Sequence, residues 1–180
     1  AERTLVDFYR KLGYEDGFYL RETVWLREKI TSLGSEGVCS CSISPIMPAE
    51  YNRRRNEWLR GRLYVAYADA EITYQKKLSQ LSGADIYGID AGTVRGCMTV
   101  ERINSDRLLI KELLVSEKYF TEAIKQMSQQ FQAQEYVIRT PAFLVQPGGT
   151  IRPFAMLRIH GERKLTVAPA ELGYLAFAFD

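Results

Sequence analysis

Between positions 86 and 131 the chain spells a run of elements that few folds can accommodate. Three apolar stretches, 86–90, 94–103 and 108–115, are separated by the turn signals Asp90-Ala91-Gly92 and Asn104-Ser105-Asp106. Turns that short join strands lying side by side and antiparallel. Ser116 then stands where an N-cap belongs. Phe120, Ala123, Ile124, Met127 and Phe131 follow at i, i+3, i+4, i+7 and i+11, which is one face of a helix. A three-stranded meander followed at once by an amphipathic helix buries that helix on its sheet, so the chain reads as α+β with a mixed, mostly antiparallel sheet flanked by helices.

The flanks extend this pattern. Upstream, a short strand over 38–43 is ended by Pro45 and Pro48. A helix over 49–60 carries Tyr51, Trp58 and Leu59 on one side and arginines elsewhere. A second helix begins at Asp69, a plausible N-cap, and stops at Gly83, with Tyr74, Leu78 and Leu81 as its inward stripe and Ile72 beside them. Downstream come a strand over 136–139, the loop Gln146-Pro147-Gly148-Gly149, and strands over 154–159 and 173–179. The Gly/Ser-rich run 32–37 reads as a linker. Before it, Leu5, Phe8, Tyr9 and Leu12 make one apolar helical stripe, Gly13 sits at a left-handed C-cap position, and Arg10 and Lys11 occupy the last turn, where cations suit the helix dipole. An aromatic strand over 18–26 follows.

Composition narrows the function classes. Apolar residues make up 46% of the 180, enough for a core. The net charge of +2 is too small to point to nucleic acid or an anionic membrane surface as partner. No apolar run approaches the ~20 residues of a membrane-spanning helix. Cys39 and Cys41 are too close for an easy disulfide, and with Cys97 the cysteine count is odd, which fits a reducing compartment. The chain is thus expected to be soluble and cytoplasmic, with its cysteines acting as small buried apolar residues. His160 is the sole histidine, beside Gly161 in an expected turn, so a zinc site lacks ligands and no nucleophile–histidine signature is present. Phosphate-binding and dinucleotide glycine motifs are also missing.

The run Asp7-Phe8-Tyr9-Arg10-Lys11-Leu12-Gly13-Tyr14 resembles the C-terminal end of the GNAT (Gcn5-related N-acetyltransferase) family, whose last helix often reads Phe-Tyr-x-Lys-x-Gly-Phe/Tyr. The order of elements over 38–180 is similar to the GNAT order, except that the helix between the last two β segments is missing. Pro153-Phe154-Ala155-Met156-Leu157 and Gly173-Tyr174-Leu175-Ala176-Phe177-Ala178-Phe179-Asp180 resemble the second domain of two-domain bacterial GNAT proteins. The resemblance implies that the chain is the C-terminal part of such a protein: 1–31 the last helix and strand of a first GNAT-like domain, 32–37 the linker, 38–180 a second, degenerate GNAT-like domain. It further implies a parent enzyme that passes an acetyl group from acetyl-CoA to a small-molecule or peptide amine by direct attack. Tyr9 would be its general acid, protonating the departing thiolate of coenzyme A. A thiolate expelled into a dry site needs such an acid. The other reading of Tyr9 is an aromatic packing residue at helical spacing.

GNAT proteins usually carry Arg/Gln-x-x-Gly-x-Gly/Ala where the fourth strand meets the next helix, so that backbone N–H groups approach the pyrophosphate. Here that junction reads Val115-Ser116-Glu117-Lys118-Tyr119-Phe120, with no glycine, two aromatics and a carboxylate. Acetyl-CoA is therefore not expected to bind this chain tightly, and the fragment is expected to be inactive alone. Lys111 and Glu112 interrupt an apolar strand on what strand alternation makes opposite sides. Glu112 sits where some GNAT enzymes place a general base; its alternative reading is a charge at a sheet edge or one paired with an arginine from a neighbouring helix. Arg53, Arg54 and Arg55 spread over about 200° of a helix, which suits a solvated face or contacts to the first domain better than one anion-binding patch. A non-catalytic binding or dimerisation module remains the competing function. In it the strand over 18–26 pairs within the block or with a second copy of the chain, making a homodimer.

Overall fold

The computed structural model describes residues 3–33, 40–145, 148–159 and 173–177. In chain order the elements are α1 (Arg3–Lys11), β1 (Glu15–Leu26), α2 (Arg27–Ser32), β2 (Ser42–Pro45), α3 (Pro48–Leu59), α4 (Asp69–Leu81), β3 (Ile86–Ala91), β4 (Val94–Arg102), β5 (Arg107–Leu114), α5 (Glu117–Gln130), β6 (Glu135–Pro141) and β7 (Thr150–Leu157). The strands form one seven-stranded sheet in the order β2-β3-β4-β5-β6-β1-β7. Every neighbouring pair is antiparallel except β5 and β6. The meander β3–β4–β5 is the one its turns predict. The α+β class and the mixed sheet flanked by helices stand.

The position of β1 differs most from the linear reading. The sequence sets 1–31 apart from 38–180, yet β1 lies inside the sheet of that block, paired with β6 from Leu20 to Leu26 and with β7 from Glu15 to Glu22. Of the two partners open to this strand, the structure uses the block. Trp25 shows why. Its indole is 2% exposed and meets the Phe120 ring of α5 edge-on at 5.5 Å. A tryptophan so placed is core, not edge.

Each face of the sheet has its own core. On one, α5 presents Phe120, Ala123, Ile124 and Met127, as its periodicity predicts, to Val100, Leu108, Ile110 and Ile138, with Ile30 of α2 alongside. On the other, α3 and α4 cover Ile86, Cys97 and Leu114 with Tyr51, Leu59 and Ile72. Here the predicted stripe of α4 is corrected: the inward residues are Ile72, Gln75 and Ser79, while Tyr74 is 54% and Leu81 85% exposed. Polar Gln75 and Ser79 face inward because they meet each other and Glu101 rather than hydrocarbon. The helix starts with Ala68 as cap, its N–H donating to Glu71 Oε2 at 2.7 Å, and Asp69 accepts a bond from Asn52 instead of capping.

Two other local differences have simple causes. The first strand of the block lies later than read, at Ser42–Pro45, and Pro45 is its last residue, at a position that an edge strand tolerates. Of the last predicted strand, the described residues 173–177 form only bridges, Phe18 with Gly173 and Tyr64 with Tyr174. Cys39, His160, Phe179 and most of the expected linker lie outside the described residues. Cys41 and Cys97 are buried, as a packing role requires, and burial pushes the Cys41 thiol up to about 11. No helix among the described residues is long and apolar enough to cross a membrane.

Candidate functional site

β5 and β6, the one parallel pair, stay in register for only four positions, from Arg107 with Glu135 to Ile110 with Ile138. Both strands continue, to Leu114 and Pro141, without pairing each other. The sheet therefore splits there. The split coincides with an irregularity on β5's other side: Thr99 faces Glu112 and Val100 faces Ile110, leaving Lys111 as the extra residue of a β-bulge. The bulge corrects the alternation expected for this strand. Lys111 and Glu112 both turn to the face covered by α3 and α4, whereas Ile110 and Leu113 face α5.

Glu112 is enclosed. It is 0% exposed, like Arg55 of α3, whose Nε donates to Oε1 at 3.0 Å and to Oε2 at 3.2 Å. The Tyr51 hydroxyl donates to Oε2 at 2.6 Å and accepts from Thr99 Oγ1 at 2.8 Å. Burial first, and the Glu112 carboxylate second, push the Tyr51 phenol well above its ordinary range. The Arg55 guanidinium also donates to the Val65 carbonyl at 3.1 Å and lies 4.6 Å from the Tyr67 ring centre. Burial pulls its pKa down, but Glu112 and the neighbouring tyrosines outweigh it and the net direction is upward. Residues 173–177 close the cluster. Tyr174 pairs through its backbone with Leu63 and Val65, and Tyr67 donates to the Phe177 carbonyl. With its oxygens on Arg55 and Tyr51 and no exposed surface, Glu112 pairs with an arginine of a neighbouring helix.

The arginine run is corrected in the same stroke. Only Arg53 lies on a solvated face, between Glu50 and Glu57. Arg54 is 5% exposed and reaches Asp90 and the carbonyls of Ile89 and Gly96. The missed signal was spacing: Tyr51, Arg55 and Leu59 fall at i, i+4 and i+8, so the arginine sits in the buried stripe.

At the head of the split, Ser116 is the N-cap of α5 but makes no side-chain cap bond. Tyr119 is 8% and Phe120 1% exposed, and the Tyr119 N–H is already bonded to the Ser116 carbonyl at 3.0 Å. Glu117 and Lys118 are what this turn offers to solvent.

Tyr9 lies elsewhere, on α1. Gly13 ends that helix at φ 81°, with Tyr14 N–H bonded to Tyr9 O and Gly13 N–H to Arg10 O, the closing pattern that a left-handed residue permits. Tyr9 is 43% exposed between the rings of Phe8 and Tyr14, and Leu5, Phe8 and Leu12 are exposed beside it. The apolar stripe read from the sequence is real but uncovered. The described residues hold no group of His, Cys, Asp and Glu able to bind a metal.

Comparison with solved structures gives this sheet its context. A GCN5-related N-acetyltransferase from Anabaena variabilis superposes with a TM-score of 0.56 at 13% identity, over 84% of this chain and 42% of that one. A conserved protein from Enterococcus faecalis, given as a probable N-acyltransferase, superposes with a TM-score of 0.57 at 16% identity, over 83% and 42%. The fold is GNAT-like. A GCN5-related N-acetyltransferase from Kribbella flavida agrees at a TM-score of 0.50 and 16% identity, over 77% of this chain and 34% of that one. The chain thus spans less than half the length of these GNAT-like structures. No protein-family model and no curated protein matches its sequence. In this chain the β5–β6 pair divides past Ile110, and the turn from Val115 to Phe120 at its head carries no glycine.

Proposed function

We propose that this chain serves an acetyl-CoA-dependent N-acetyltransferase as a non-catalytic GNAT-like domain joined to one catalytic helix. The β5–α5 turn carries the reading. A diphosphate needs free N–H groups at a helix start and room to approach them. Here the helix start carries no glycine, the Tyr119 N–H is already bonded to the Ser116 carbonyl, and Glu117 adds a negative charge. Acetyl-CoA would then belong to another part of a longer protein, whose cleft α1 completes. In that cleft Tyr9 would give its phenolic proton to the sulfur as the amine displaces it from the acetyl carbon. The half-exposed Tyr9 and uncovered apolar stripe of α1 suit a helix that finishes another domain's surface. The acceptor would be a small-molecule or peptide amine, the compartment the cytoplasm.

A second reading has its own support. Because β1 is paired on both sides within this sheet, α1 and β1 also suit an accessory or dimerising module with no part in acyl transfer. Tyr9→Phe in the longer protein separates the two. A general acid predicts a fall in kcat of tenfold or more at nearly unchanged KM for acetyl-CoA, on the order of what proton transfer contributes. Unchanged kcat assigns Tyr9 to packing and favours the accessory module.

A further inference from the structure

Lys111 holds an unusual position. As the bulged residue it has no register partner on β4, and it is the first residue past the β5–β6 pairing. Its side chain is 9% exposed, yet among the described residues its one side-chain hydrogen bond, an ion pair with Glu101 Oε1, is long at 3.3 Å. That oxygen already takes a bond of 2.5 Å from Gln75 Nε2. An ammonium has three donors, and a buried one ordinarily spends them. Two cavities open onto Lys111. One, of about 320 Å³, runs under α4 and is walled by Tyr67, Tyr74, Leu78 and Phe177. The other, of about 310 Å³, lies over the open sheet beside Arg139 and Glu22. The groove under α4 is at the small end of ligand sites and has their usual make-up, mostly apolar walls with a few polar groups, here Lys111, Glu71 and Gln75. The carboxylates at or near it already have partners: Glu71 takes the Ala68 N–H, Glu101 is shared between Gln75 and Lys111, and Glu22 takes two guanidiniums.

We propose that the groove between α4 and β5 binds a small carboxylic acid with an aromatic or aliphatic body, its carboxylate on Lys111 Nζ and its apolar part between Tyr67, Tyr74, Leu78 and Phe177. The charge selects an acid; the rings and Leu78 select a hydrocarbon body. This site lies on the opposite side of the sheet from α5 and does not depend on the acetyl-transfer reading.

Heteronuclear NMR titration of the chain with phenylacetate, and with neutral phenylacetamide of the same shape, tests it. Phenylacetate should shift amides of α4 and of 110–112 and bind at least about tenfold tighter than the amide, the factor a charge-assisted hydrogen bond carries. Lys111→Met should erase that preference, and Leu78→Trp, at a half-buried position, should block both probes by filling the groove. Equal affinity for the two probes, shifts confined to other elements, or no shifts at millimolar phenylacetate would overturn the proposal. The acid–amide comparison on the native chain decides even where Lys111→Met does not fold.

Discussion

Arg55 and Glu112 face each other across the α3–sheet interface with neither side chain exposed, Nε to Oε1 at 3.0 Å. Coulomb attraction in a dry interior is strong, but so is the cost of taking both charges out of water. The pair therefore does less for net stability than for where α3 must sit. A single change that strands one charge should cost about 3–5 kcal/mol. Glu112→Gln and Arg55→Met are each expected to do so in urea denaturation, and the double variant should cost clearly less than their sum. Additive losses would show that the two groups do not act as a pair.

β1 should be indispensable to the block that follows it. It supplies Leu20 and Trp25 to the interior and separates β6 from β7. Losing Trp25 alone should cost about 3–5 kcal/mol, as large buried side chains do. A chain of residues 38–180 is expected to show no cooperative thermal transition by circular dichroism, and added peptide 1–31 should restore one. A sharp transition without the peptide would make 38–180 an independent unit, as the linker-like sequence at 32–37 suggests.

Acid should weaken the fold through two carboxylates. Hydrogen bonds from Arg53 and then Arg54 hold Glu50 down at about 2. Burial would raise Glu22, but its bonds to Arg152 and Arg139, at 2.9 and 2.8 Å, outweigh that and lower it. Both folded values lie below the ordinary 4.5, so the unfolded chain binds more protons in that window. Their contribution is complete above about pH 5 and is lost as pH falls toward 2. Urea midpoints should drop through this window. Glu22→Gln should flatten the drop; an unchanged slope in that variant would remove Glu22 from it.

How much of this was legible in the sequence follows from which interactions are local. Periodicity gave α5 because an apolar stripe faces one sheet. Turn chemistry gave β3–β4–β5, and Gly13 gave the end of α1. The inward arginines were hidden because a charge is read as solvated unless its partner is known, and Glu112 lies far from Arg55 in sequence. The bulge at Lys111 leaves no trace in composition, since one added residue in an apolar strand looks like alternation continued. The insertion of β1 between β6 and β7 is a long-range choice of partner, which no local pattern encodes. The glycine-free β5–α5 turn, by contrast, is legible directly in Val115-Ser116-Glu117-Lys118-Tyr119-Phe120.

The stripe on α1 should contribute little to this chain by itself. Leu5, Phe8 and Leu12 are 45–55% exposed, and exposed positions usually change stability by less than about 0.5 kcal/mol. Phe8→Ser with Leu12→Ser should leave the thermal midpoint of the chain nearly unmoved, yet lower the solubility or activity of a longer protein in which α1 is covered. A large loss of stability in the chain alone would mean that α1 packs on the sheet.

Titration calorimetry of the chain with acetyl-CoA bears most directly on the proposed division between a sheet that does not hold the cofactor and a helix that serves catalysis. With aromatics and a carboxylate at the start of α5, no binding heat is expected up to millimolar cofactor. Micromolar binding that Ser116→Arg or Lys118→Glu alters would place the thioester at this turn and contradict the account.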